Sequence, residues 1–235
     1  MLKTVLIGTS VFALSTSTMA ADLPARKGLL APAVVASPRN WTGFYVGGQV
    51  GWVGSLASVS GRNDVTTFSG SQNLNSILAG GFAGYDHQIG LVVVGVESDA
   101  NARIGKKTTV GSFAWYYTGE TWKSESAWDA SLRLRLGFLA TSQTLVYATG
   151  GVAWASYNLR LTDSQGLLAE SKVRTGWTIG GGLQQALTKN ISLRAEYRHS
   201  DYGSKSGTYD SGKGIQAYKS KLRDNRVTVG LAYKF

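Results

Sequence analysis

The stretch SLRLRLGF (131–138) alternates three leucines and a phenylalanine with two arginines. Successive side chains of a strand point to opposite faces, so Leu132, Leu134, Leu136 and Phe138 line one side while Arg133 and Arg135 line the other. Two architectures accept such a ribbon. In a water-soluble sandwich the apolar side is the core and the arginines meet solvent; in a membrane barrel the apolar side meets lipid and the arginines point inward. The rest of the chain decides between them.

The chain opens with Lys3, the uncharged run VLIGTSVFAL (5–14) and then STSTMA (15–20), the pattern of a secretory signal peptide cleaved after Ala20. Its apolar run is too short for a spanning helix, and Gly, Ser, Thr or a charge interrupts every later run before the roughly 18 apolar residues such a helix requires. With no cysteine in an exported chain, burial and backbone pairing must hold the fold without disulfides. The net charge of +10 is scattered rather than clustered, which fits an anionic lipid surface and, for an exported chain, excludes nucleic acid as the partner. Charged residues are only 16% of the total and aromatics 11%, with 30 glycines, a balance typical of membrane barrels. The expected organisation is a signal peptide over 1–20, a flexible periplasmic segment over 21–40 that holds all three prolines, and a barrel over 41–235.

Eight stretches carry period-two patterning: 41–54, 74–87, 90–104, 125–140, 143–158, 171–187, 190–204 and 221–235. An even count suits a closed, eight-stranded antiparallel up-and-down barrel, an all-β transmembrane fold. The connections HQIG (87–90), ATSQT (140–144) and LTKN (187–190) are tight, while 55–73, 105–124, 159–170 and 205–220 read as long polar loops. Short turns at one end and long loops at the other is the outer-membrane layout, with termini periplasmic and long loops extracellular. The parity set by SLRLRLGF extends along the chain. It places Glu97, Asp99, Arg194, Glu196 and Arg198 on the same inward side as Arg133 and Arg135, against outward rows such as Val92-Val94-Val96 and Val227-Val229-Leu231-Tyr233-Phe235.

Counted from the nearest tight turn or terminus, Trp52, Trp128, Trp154 and Trp177 all stand about 11 to 13 residues up, the height of the far membrane boundary for tilted strands. Phe44, Phe138, Tyr233 and Phe235 form the opposite girdle. Aromatics scattered as simple β-formers would not fall into two bands.

The segments WTGFYVGGQVGW (41–52), GYDHQIG (84–90), YATGGVAW (147–154), GWTIGGGLQQALT (176–188), LRAEYRHSDYG (193–203) and VTVGLAYKF (227–235) together resemble the small alphaproteobacterial outer-membrane barrels known as opacity-like porins or outer-membrane immunogenic proteins. The resemblance runs from Trp41 to Phe235. It implies a Gram-negative surface barrel without a catalytic motif, and for some members haem binding or a part in envelope integrity. On that footing Phe235 resembles the terminal signal read by the barrel-assembly machinery, and His199 is a candidate axial haem ligand.

An eight-stranded barrel is just wide enough for side chains to fill it, so the inward charges are expected to form an ion network that plugs the lumen rather than lines a channel. Enzymatic chemistry is poorly served: His199 and Ser200 are strand neighbours that face opposite sides, and Glu97 and Asp99 share a face rich in arginine. There is no paired-histidine or cysteine metal signature. Trp115, Tyr116, Tyr117, Trp122, Tyr209 and Tyr218 interleave with Lys106, Lys107, Lys123, Lys205, Lys213 and Lys219, a pattern suited to lipopolysaccharide phosphates, glycans, an extracellular ligand or a host surface, and equally to ordinary solvated loops. The expected function is structural and surface-interactive; a ligand-binding protein, with haem foremost, and a narrow passive porin are the rivals.

Overall fold

The computed structural model describes residues 39–62, 67–104, 111–112, 121–163, 166–210 and 215–235. They form ten strands: β1 (Gly43–Arg62), β2 (Thr67–Ile89), β3 (Val92–Ile104), β4 (Gly111–Ser112), β5 (Thr121–Glu125), β6 (Trp128–Leu139), β7 (Thr144–Asp163), β8 (Gly166–Ala186), β9 (Ile191–Asp210) and β10 (Ile215–Lys234). Each pairs antiparallel with its neighbours, and β1 closes on β10 from Tyr45↔Lys234 to Arg62↔Ala217. Eight strands thus complete a ring in the order β1-β2-β3-β6-β7-β8-β9-β10. Closure pairs the backbone of all eight strands and leaves no edge in the wall, the condition for a sheet to sit in hydrocarbon. The short β4 and β5 lie outside the ring, β5 pairing the far half of β7 from Thr121↔Thr162 to Glu125↔Asn158.

The tight connections fall at residues 90–91, 140–143 and 187–190. Three of the four expected long loops are instead continuations of strands. β1 and β2 stay paired to Arg62↔Thr67, β7 and β8 to Asp163↔Gly166, and β9 and β10 to Asp210↔Ile215. In the first of these hairpins the sequence (SVSGR at 58–62, SGSQN at 69–73) has backbone-pairing capacity but no apolar row, because neither face of a strand meets lipid once it leaves the membrane. Alternating hydrophobicity therefore ends before the strand does.

The burial pattern is that of a soluble protein turned inside out. Along β6, Leu132, Leu134, Leu136 and Phe138 are 50–72% exposed, while Arg133 and Arg135 are 1% and 2% exposed. The outward rows of the other ring strands are likewise exposed and apolar: Val46, Val50 and Trp52 on β1, Val92, Val94 and Val96 on β3, Ile179 and Leu183 on β8. On β10 the apolar row runs from Val227 to Phe235. At about 3.3 Å per residue and a tilt near 40°, it covers roughly 20 Å before side-chain width is added, which matches an apolar band about 25 Å tall.

The tight-turn end is stoppered by apolar side chains. Trp41 is 3% exposed and clusters with Val93, Leu139, Leu145, Tyr147 and Ala186. Its amide donates to Gln88 Oε1 at 2.8 Å, and the Gln88 amide donates to Thr42 Oγ1 at 2.9 Å. Arg39 stacks over the Trp41 ring at 4.7 Å and donates to the Thr188 carbonyl at 2.9 Å, while Lys234 Nζ donates to the Asn40 carbonyl. Arg39 and Asn40, expected in the flexible lead-in, are therefore pinned to the barrel rim; residues 1–38 lie outside the described residues.

Candidate functional site

Among the described residues the lumen buries seven arginines (Arg103, Arg133, Arg135, Arg174, Arg194, Arg198, Arg226) and six carboxylates (Asp86, Glu97, Asp99, Asp129, Glu196, Asp224). The strand period dictates this: each residue sits on the inward parity of its strand, and a barrel of eight brings opposite walls within reach of a single arginine.

Glu97 is the central acceptor. It takes hydrogen bonds from Arg133, from Arg194 Nη1 at 2.6 Å and from the Tyr45 hydroxyl at 2.8 Å. Glu196, across the lumen, accepts from Arg133 Nη1 at 2.7 Å, from Arg198 Nε and Nη2 at 2.9 and 2.8 Å, and from the Tyr147 hydroxyl at 3.0 Å. Arg133 thus bridges two strands that are not neighbours. Asp99 accepts from Arg198 Nη1 at 3.0 Å, from Ser131 and from Asn101 Nδ2 at 2.6 Å.

Towards the tight turns, Arg135 donates to Gln184 and lies 3.6 Å from both Asp86 and Glu97, with its guanidinium 3.9 Å from the Tyr147 ring. Towards the long hairpins, Asn101 Nδ2 also reaches Asp129 Oδ1 at 3.1 Å. Asp129 accepts from Arg226 Nη1 at 2.6 Å and Arg103 Nε at 3.2 Å, and Arg103 also binds Asp224 and Ser55. The polar chain is therefore continuous from Asp86 to Asp224 along the length of the lumen. Arg174, near the long-hairpin end, donates to Ser220 Oγ at 3.0 Å.

Two features of the wall make this packing feasible. A Cβ on Gly84 would come within 2.5 Å of the Tyr45 hydroxyl, and one on Gly182 within 2.7 Å of the Tyr147 hydroxyl, so each glycine is the floor on which a tyrosine lies to reach its carboxylate. The Arg194 guanidinium stacks 3.4 Å from the centre of the Phe82 ring, which shields it without needing a further acceptor. Between the Trp41 stopper and the lowest ionic layer the cavity has about 10 Å³, the room of one water.

The structure brings together all seven lumen residues named from the sequence: Glu97, Asp99, Arg133, Arg135, Arg194, Glu196 and Arg198. The network named from the sequence omits the upper group of Arg103, Asp129, Asp224 and Arg226 and the neutral partners Tyr45, Gln49, Tyr147 and Gln184, although strand parity turns Arg226 and Gln184 inward as well. The charged members lie beyond mid-depth, where the apolar alternation that marks an inward charge fades, and tyrosine and glutamine carry no charge to signal an ionic role. Of the girdle residues, Trp52, Trp128 and Trp177 are 43–53% exposed on outward rows, Trp154 is half-buried, and Phe138 and Tyr233 are 53% and 48% exposed at the other end. Phe235 is exposed, packs edge-on against Tyr233 at 5.2 Å, and donates its amide to the Phe44 carbonyl at 3.1 Å.

His199 stands on the outward row of β9, half-buried, its ring 5.6 Å from that of Trp177 and its Nδ1 2.8 Å from Asn225 Oδ1. Ser200 points into the lumen against Thr178 Oγ1 at 2.9 Å, so the two neighbours are on opposite sides of the wall and form no dyad. Among the described residues no three His, Asp or Glu side chains are grouped to hold a metal ion. Of the residues expected in aromatic and lysine-rich loops, Trp122 and Lys123 lie on β5, Lys205 and Tyr209 on β9, and Tyr218 and Lys219 on β10; Lys106, Lys107, Trp115, Tyr116, Tyr117 and Lys213 fall outside the described residues.

A family model described as the outer membrane protein beta-barrel domain matches residues 11–235. The 31 kDa outer-membrane immunogenic protein of Brucella melitensis is 32% identical over 250 residues, covering 100% of both chains. The 25 kDa outer-membrane immunogenic protein of Brucella abortus is 33% identical over 233 residues, covering 98% of this chain and 97% of that one. Among solved structures, the outer membrane protein OprG from Pseudomonas aeruginosa shares the fold with a TM-score of 0.52 at 13% identity, over 84% of this chain and 98% of that one. A closed ring with an apolar exterior, an ionic interior and relatives matched end to end makes this chain a member of the outer membrane protein β-barrel family, with its place in the outer membrane.

Proposed function

We propose that this protein is a sealed structural barrel that stabilises the outer membrane and presents its long hairpins, at the outer surface, to envelope components and external partners. Residues 1–20 act as the export signal, the tight turns and the pinned 39–42 segment face the periplasm, and Phe235 with its outward row engages the barrel-assembly machinery. The observation that carries the reading is the filled lumen. Arg133 and Glu97 are both 0% exposed at the side chain, and the ionic chain runs from Asp86 to Asp224 above a Trp41 stopper. A pore would have to dissolve that chain at several levels at once, and each buried pair resists separation because the partner left behind is an uncompensated charge.

Planar-bilayer recording with the refolded barrel separates this reading from a narrow porin. The expected record is a quiet membrane with only brief, small events; large, steady conductance overturns the sealed-barrel reading.

A further inference from the structure

Beyond the apolar band, the outward rows of β1, β10 and β9 change character within one outward step. On β10 the exposed apolar row ends at Val227, and the next outward positions are Asn225, Arg223, Lys221 and Lys219. On β9 a bulge alters which side chains join them. Pairing passes from Arg223↔Asp201 to Lys221↔Ser204, so Tyr202 and Gly203 together oppose Leu222, and Gly203 takes φ +70°. The extra residue reverses the parity of β9, which turns Ser204 and Ser206 outward.

The result is a grid of cations and hydroxyls. Lys221 stands between Ser58 of β1 and Ser204 of β9, and Lys219 between Ser60 and Ser206, all of them in register and all but half-exposed Lys221 exposed. Directly paired side chains on one face lie about 5 Å apart and alternate residues of one strand about 7 Å apart, spacings that a phosphate group can bridge. Below the lysines, Arg223 lies between Leu56 and Asp201. Asp201 accepts from Arg223 Nε at 2.9 Å and lies 3.8 Å from Lys221 Nζ, and one carboxylate does not neutralise three cations. The Arg223 and Lys221 side chains keep 46% and 40% of their surface open. Beneath the grid, Leu56, Trp52, Val227 and Tyr197 offer an apolar wall on the same face.

We propose that this grid binds the phosphate groups of an acylated glycolipid in the leaflet at the long-hairpin end, its acyl chains lying down the apolar wall below. The charge excess selects the anion, and the apolar surface directly beneath selects a lipid-borne phosphate over a free one. The inference rests on the reading of the long hairpins as the outer end.

The test titrates the refolded full barrel in micelles with bis-phosphorylated lipid A, dephosphorylated lipid A and inorganic phosphate, with bound lipid read by native mass spectrometry. The expected result is selective retention of the phosphorylated lipid, weakened about tenfold or more in a Lys219→Ala/Lys221→Ala/Arg223→Ala variant. A second variant, Lys219→Gln/Lys221→Gln, keeps the Arg223–Asp201 pair and is expected to lose part of the same selectivity. Equal binding of the two lipid forms, equal competition by free phosphate, or unchanged binding in either variant once its heat-modifiable gel shift shows it folded overturns the proposal. Any of these outcomes in a barrel that remains non-conducting leaves the sealed-barrel reading intact.

Discussion

Glu97 concentrates the physics of the interior in one side chain. Its two oxygens serve Arg133, Arg194 and Tyr45, and Arg135 lies 3.6 Å away. Glu97→Ala removes the acceptor and leaves those guanidinium groups facing one another in a dry lumen, so it is expected to destabilise the barrel by about 3–5 kcal/mol. Glu97→Gln keeps an acceptor of the same shape while losing the charge, and its cost is expected to fall between the two. Urea unfolding in lipid vesicles, followed by tryptophan emission, checks both; a Glu97→Ala midpoint equal to that of the unaltered chain would mean that water enters and solvates the site. The seven mid-depth charges were legible in the sequence because each one breaks an otherwise apolar alternation on a fixed parity. Asp129 and Arg103 obey the same parity but lie where the alternation fades, and Tyr45 and Gln49 have no charge to mark them, so their place in the network emerges only once opposite walls are brought together.

At the level of the strand, the two faces make opposite demands on glycine. Gly48 is on the outward row of β1, and a Cβ there would meet nothing nearer than the Gly80 carbonyl at 3.9 Å. Gly84 is on the inward row of β2, where a Cβ would stand 2.5 Å from the Tyr45 hydroxyl and 2.6 Å from the Val96 carbonyl. Gly48→Ala is therefore expected to change stability by no more than about 0.5 kcal/mol, whereas Gly84→Ala lifts Tyr45 off the wall and away from Glu97, at about 1–3 kcal/mol. Thermal shift of the heat-modifiable band ranks the two, and equal shifts would refute the assignment of faces. Strand parity was readable from sequence for this reason: lipid on one side and an ionic lumen on the other impose contrasting chemistry at every second residue. Strand length was not readable in the same way. From Ser58 to Arg62 and from Thr67 to Gln72 the chain remains paired, yet only Val59 and Phe68 are apolar there, too few to make an alternating row, and backbone pairing leaves no trace in side-chain type.

For the molecule as a whole, the two ends differ, and the difference supports the orientation proposed above. One end is closed by tight turns and the Trp41 stopper; the other carries paired strands well beyond the apolar band, with Lys219, Lys221 and Arg223 along the outward row of β10. Pulling the second end through hydrocarbon during insertion would drag three hairpins of polar residues across it, while the first end exposes only short turns, so the proposed orientation is the one in which insertion from the periplasm would leave the long hairpins outside. The chain has no cysteine, which makes the orientation directly measurable with single introduced thiols. Lys205→Cys, exposed on β9 beyond the bulge, is expected to react with a membrane-impermeant maleimide on intact cells, and Ser142→Cys, in the exposed turn between β6 and β7, only after the envelope is opened. The reverse labelling would place the cationic grid in the inner leaflet and would overturn the reading of the hairpins as a surface display, even though the ring, its ionic interior and its apolar exterior would all stand.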